Sequence, residues 1–181
     1  ASEFISCVLE QNLDIAATRK NYVDYLAHRP RVEKIGEHGL FTDEGEPVVL
    51  GQVQNQVADH KGIVWTHVIS LRREDAARLG YDSAVQWMAL LRSKRAMLCK
   101  HMKIDSANLK WYAAFHNESH HPHVHLLVYS VKDGEGYLTK QSIEAMRSEL
   151  AHDIFRQDFA NIYEEQAQSR MDLKERSEVV M

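Results

Sequence analysis

The sequence predicts an α/β domain with a sheet of at least four strands covered by helices, and three observations predict it. Apolar, β-branched runs such as Ile63–Leu71 (IVWTHVISL) alternate with stretches of helical periodicity. The early strands are separated by crossovers long enough to carry helices. Only the last pair, Leu109–His116 and His123–Val131, is joined by a loop, Asn117–Pro122, short enough for a simple hairpin.

Each element has a local cause. Phe4–Leu9 alternates and is rich in β-favouring residues, which predicts a strand. Ala16–Ala27 predicts a helix, ended at His28-Arg29-Pro30 because the residue before proline avoids the helical region. Gly36–Val48 holds three glycines, Pro47 and four acidic residues and reads as a loop. Val49–His60 reads as a short helix. Ile63–Leu71 suits a central strand. Asp82 or Ser83 caps the next helix, whose apolar face is Ala84, Trp87, Met88, Leu91, Leu98 and Met102. Helical propensity runs from Lys140 towards the end, with a break expected near Ala160–Asn161. At 181 residues and 44% hydrophobic, the chain suits one domain over 1–181, with 139–181 as its C-terminal helical segment.

Composition narrows the classes. The two cysteines, Cys7 and Cys99, form no Cys-x-x-Cys pair, which argues against a disulfide framework or a thiolate metal site. No apolar run approaches the ~18 residues of a membrane span, and no secretory leader pattern opens the sequence, so a cytoplasmic location without membrane insertion is expected. The net charge of -4 is unevenly spread: 133–181 hold 6 Lys/Arg against 11 Asp/Glu, leaving 16 against 15 in 1–132. The segment Ser83–Ile104 holds five basic residues, Arg92, Lys94, Arg95, Lys100 and Lys103, and no acidic one. Such a face can serve a phosphate backbone whatever the whole-chain charge, and each residue taken singly also fits a solvated helix surface.

The densest chemical signal is His116-Asn-Glu-Ser-His-His-Pro-His-Val-His125. His123 and His125 lie two apart on an expected strand, so both imidazoles share one face. The hairpin brings His116, at the end of the preceding strand, opposite His123. Three converging neutral imidazoles with open positions make a catalytic rather than a closed structural metal site. His120 and His121 lie in the loop, and either could replace His116. Glu118 is a candidate to orient an imidazole from behind, or simply an exposed loop carboxylate. Nitrogen donors favour zinc, nickel or copper on affinity alone.

The pattern His-x-Glu-x-x-x-Pro-His-x-His followed by an apolar strand resembles the metal motif of HUH endonucleases, which include rolling-circle replication initiators and conjugative relaxases. The segments Tyr22-Val-Asp-Tyr-Leu-Ala-His-Arg-Pro, Gly36-Glu-His-Gly-Leu-Phe, Trp65-Thr-His-Val-Ile-Ser-Leu, Trp111-Tyr-Ala-Ala-Phe-His and Gly136-Tyr-Leu-Thr-Lys are similar to relaxases of mobilisable plasmids and integrative elements. The resemblance implies a largely antiparallel sheet and site-specific nicking of single-stranded DNA at a transfer origin. It also implies a magnesium or manganese ion, with zinc or nickel as alternatives, a tyrosine nucleophile on the first helix, and possible accessory mobilisation proteins. Tyr22 and Tyr25 share a helix face there. The family's pattern favours Tyr25, in Asp-Tyr-Leu-Ala before a basic stretch, and leaves Tyr22 to packing. Arg29, Arg31, Arg92, Lys94 and Arg95 are the expected DNA-backbone contacts. His67, on the central strand, could sit near the metal or be a hydrogen-bonded core histidine, and it stays outside the expected site. The competing readings are a replication initiator, a metallohydrolase in which water attacks, and an origin-binding protein that does not cut.

Overall fold

A computed structural model describes residues 11–12 and 16–179. The strand expected at Phe4–Leu9 lies outside them. In chain order the elements are β1 (Gln11–Asn12), α1 (Ala16–His28), β2 (Leu40–Phe41), α2 (Leu50–Asp59), β3 (Val64–Ser70) and α3 (Arg73–Leu79). There follow α4 (Ala84–Ser93), α5 (Arg95–Met102), β4 (Leu109–His116), β5 (His123–Ser130), α6 (Lys140–Ile154) and α7 (Arg156–Val179). The chain divides into two compact units, Ala1–Met146 and Arg147–Met181.

The first unit is built on a five-stranded sheet of order β1-β3-β5-β4-β2, with every pairing antiparallel. The three long strands occupy its centre, which fits their apolar sequences: from Val124 to Ser130 every residue of β5 is buried. The pleat sorts side chains between two faces. Register pairs His116 with His123 and Ala114 with His125 on one face. Tyr112, Leu127 and Tyr129 share that face and pack under Val23, Leu26 and Ala27 of α1 and Val53 and Val57 of α2. The opposite face carries Trp111, Phe115 and Leu126, and α4 covers it by stacking Trp87 on Phe115.

Five local expectations are corrected. The loop 36–48 contains β2, which adds a two-residue edge to β4. An unforeseen helix, α3, follows the central strand and ends at Gly80, whose φ of 78° is the left-handed geometry that favours glycine. The helix expected through 102 breaks at Lys94, where the Ser93 hydroxyl bonds the Leu90 carbonyl at 2.6 Å and competes with the helical ladder. Ser83 does hold the N-cap position of α4, but its hydroxyl bonds the Gln86 side chain instead of a backbone N–H. The C-terminal break falls at Phe155, not at Ala160–Asn161. It comes where buried Ile154 and Phe155 give way to α7, whose described side chains are mostly exposed. Among the described residues no helix is long and apolar enough to cross a membrane.

Candidate metal centre

β4 and β5 deliver the three histidines. One ring nitrogen from each of His116, His123 and His125 lies within 4.8 Å of the others, so the cluster could hold a metal ion. Ring centroids are 4.8–5.3 Å apart. His120 and His121 are exposed and stand outside the cluster.

Hydrogen bonding shows which nitrogens remain. His116 Nε2–H donates to the Leu26 carbonyl at 3.2 Å. His123 Nδ1–H donates to the His121 carbonyl at 2.9 Å. His125 Nδ1 faces the Tyr22 hydroxyl at 3.2 Å. His116 Nδ1 and His125 Nε2 are thereby left buried with no hydrogen-bond partner. Buried polar atoms are rarely orphaned unless something else satisfies them, and a cation is what three converging imine nitrogens satisfy. Burial also keeps the rings neutral, as metal ligation requires. It pushes His116 down to about 4, pushes His125 down to about 3, and lowers His123 as well. Neutral imidazoles on a single face leave room for further ligands such as water or phosphate oxygens.

The Leu26 carbonyl is available for a sequence reason. Its helical partner would be the N–H of residue 30, and residue 30 is proline. Pro30 therefore ends α1 and frees the acceptor that orients His116.

Both tyrosines of α1 lie over the cluster. Tyr25 is 43% exposed. Its ring centroid sits 6.4 Å from that of His116 and 6.2 Å from that of His125, edge-on to both. The Arg29 guanidinium lies 5.2 Å from the centroid of Tyr25. Tyr22 is more enclosed, and burial pushes its hydroxyl up to about 12.

The loop before β5 is clamped from two sides. Arg73 donates to the Ser119 carbonyl at 3.1 Å, to Asn117 Oδ1 at 2.6 Å and to the Glu118 carbonyl. Arg31, held at a φ of 70°, receives the Asn117 N–H on its carbonyl at 2.8 Å. Its guanidinium bonds the Glu118 carboxylate at 2.7 Å, and Arg29 lies 3.9 Å from the same carboxylate. Glu118 therefore pairs with Arg31 and lies near Arg29, while the Leu26 carbonyl, the His121 carbonyl and the Tyr22 hydroxyl face ring nitrogens of His116, His123 and His125.

The basic residues separate into two groups. Arg29 and Arg31 stand beside the histidines. Arg92, Lys94 and Arg95 belong to the α4–α5 segment on the opposite face of the sheet. Arg92 donates to the Thr42 carbonyl at 2.9 Å, and Arg95 pairs with Asp43 and bonds the Ser106 carbonyl. The expected DNA contacts therefore fall on two different faces, a separation that local sequence did not carry. His67 is likewise on the far face, paired in register with Leu126.

Sequence reasoning named Tyr22 only as an alternative nucleophile or packing residue, and it missed Pro30 and Arg73 as parts of the site. Only Pro30 left a signal, the missing N–H four residues after Leu26.

The fold and site together define an antiparallel-sheet α/β protein with a histidine cluster under a tyrosine-bearing helix. The model of the MobL relaxases matches residues 11–179, and the chain belongs to that family. Membership supports DNA nicking in mobilisation as its general activity. No curated protein and no solved structure matches the chain.

Proposed function

We propose that the chain nicks and rejoins one DNA strand at a transfer origin by metal-assisted tyrosine transesterification, with Tyr25 as nucleophile and His116, His123 and His125 as metal ligands. The observation that carries this reading is the exposed Tyr25 ring edge-on to His116 and His125, whose buried Nδ1 and Nε2 have no hydrogen-bond partner. When bound, a divalent ion supplies Lewis-acid charge for the non-bridging oxygens of the scissile phosphate. Arg29 and Arg31 bring further positive charge to the same phosphate and its neighbours. The Tyr25 oxygen attacks phosphorus, the bond from phosphorus to the 3′ oxygen breaks, and that oxygen leaves with the electron pair. The phenolic proton is released as the attack proceeds, and the leaving oxygen takes up one proton, giving a 5′-phosphotyrosine and a 3′-hydroxyl. One phosphodiester replaces another, so the 3′-hydroxyl can reverse the step and reseal the strand. The more enclosed Tyr22, whose hydroxyl burial keeps protonated, suits support rather than attack.

The test uses chelator-stripped protein and labelled single-stranded oligonucleotides tiling the DNA that flanks its own gene. Addition of Mn²⁺ or Mg²⁺ is expected to give a protein–DNA adduct on a denaturing gel, absent without metal and absent in His123→Ala. Cleavage that persists in a Tyr22→Phe, Tyr25→Phe double variant would replace the tyrosine by water.

A further inference from the structure

A neutral histidine that ligates through one nitrogen carries its proton on the other, and a buried N–H needs an acceptor. His125 Nε2 is the buried nitrogen without a partner, so its Nδ1 must carry the proton. The atom facing Nδ1, at 3.2 Å, is the Tyr22 hydroxyl oxygen. Tyr22 is itself held: its hydroxyl has a side-chain hydrogen bond with Thr66, buried on the neighbouring strand β3. Its ring meets that of His125 edge-on, with centroids 6.3 Å apart. One turn further along α1, the Leu26 carbonyl does the equivalent for His116.

We infer that Tyr22 is a positioning residue of the metal centre, fixing the tautomer and ring orientation of His125 through its hydroxyl. This inference rests on the metal reading of the histidine cluster. It gives the two tyrosines of one helix face different duties: Tyr25 presents its hydroxyl to the phosphate, and Tyr22 tightens the ion's hold. It also joins the two halves of the site. Two of the three ligands are oriented by α1, the helix that carries the nucleophile, so metal binding and the placement of Tyr25 are linked.

Mn²⁺ alone, titrated into the full chain and followed by electron paramagnetic resonance of the free ion, tests this. Tyr22→Phe removes one oxygen and is expected to weaken Mn²⁺ binding about 10–100-fold, as loss of an outer partner of a ligand typically does. Tyr25→Phe should leave the dissociation constant unchanged. The Mn²⁺ concentration that half-saturates adduct formation should rise in Tyr22→Phe in step with its dissociation constant. Circular dichroism checks the fold of each variant. Should Tyr22→Phe fail to fold, Thr66→Val takes its place, with a smaller expected loss because it only releases Tyr22. Wild-type affinity in the folded variant, alongside loss of binding in His123→Ala, overturns the role of Tyr22 and leaves the metal centre standing. Equal Mn²⁺ binding by wild type and His123→Ala overturns the metal centre, and this inference with it.

Discussion

His67 shows what burial does to an imidazole that nothing compensates. It is 2% exposed, on the sheet face away from the clustered histidines, and neither ring nitrogen has a partner. Burial pushes it down to about 4 from an ordinary value of 6.5. In the unfolded chain it takes up a proton near pH 6.5; in the fold it refuses one until near pH 4. It therefore contributes stability above pH 6.5 that is lost as pH falls through about 4. His67→Phe should flatten the acid loss of stability measured by urea unfolding between pH 6.5 and 4 in metal-free protein. A loss as steep as the wild type's would show that His67 does not carry it. The sequence marked His67 as a core residue, and alternation along IVWTHVISL was enough for that. It could not show that His67 lies on the opposite face from His116, His123 and His125, because that depends on the pairing of β3 with β5.

The helices divide their labour by the face they cover. α1 lies over the histidines with Arg29 and Arg31 at its end, while α4 and α5 lie behind the sheet with Arg92 and Arg95 bound to carbonyls and Asp43. Arg31→Ala should reduce the log-log salt slope of single-stranded DNA binding by about one. Arg92→Ala should leave that slope alone and cost about 1–2 kcal/mol of stability, because it unpairs the Thr42 carbonyl. A flattened slope in Arg92→Ala would return the rear face to DNA. Pro30→Ala restores an N–H that can compete with His116 for the Leu26 carbonyl. It should lengthen α1 and weaken Mn²⁺ binding, measured by calorimetry; unchanged affinity would show that His116 holds its orientation without that carbonyl. The end of α1 and the hairpin of β4 and β5 were legible in the sequence because proline and period-two spacing act locally. The duties of α4 and α5 were not, since a basic run looks alike on either side of a sheet. α3 was overlooked although Gly80 marks its end.

The order β1-β3-β5-β4-β2 brings together residues far apart in the chain: Tyr22 meets His125 and Arg31 meets Glu118. Such contacts follow from strand pairing rather than local pattern, so the histidine cluster could be read from spacing and the groups around it could not. The same long-range closure ties metal to stability. A ligand that binds only the fold raises stability by about 2.7 kcal/mol at a hundred times its dissociation constant. Mn²⁺ should therefore raise the thermal midpoint of the wild type and leave that of His123→Ala in place; equal shifts would put the ion elsewhere. The chemistry itself is decided by mapping the covalent bond. The chain is trapped on its origin oligonucleotide with Mn²⁺, digested with protease and nuclease, and sequenced by tandem mass spectrometry. The account predicts a residual nucleotide on the oxygen of Tyr25. A nucleotide on Tyr22 or any other residue, or nicked DNA with no modified peptide, would contradict it.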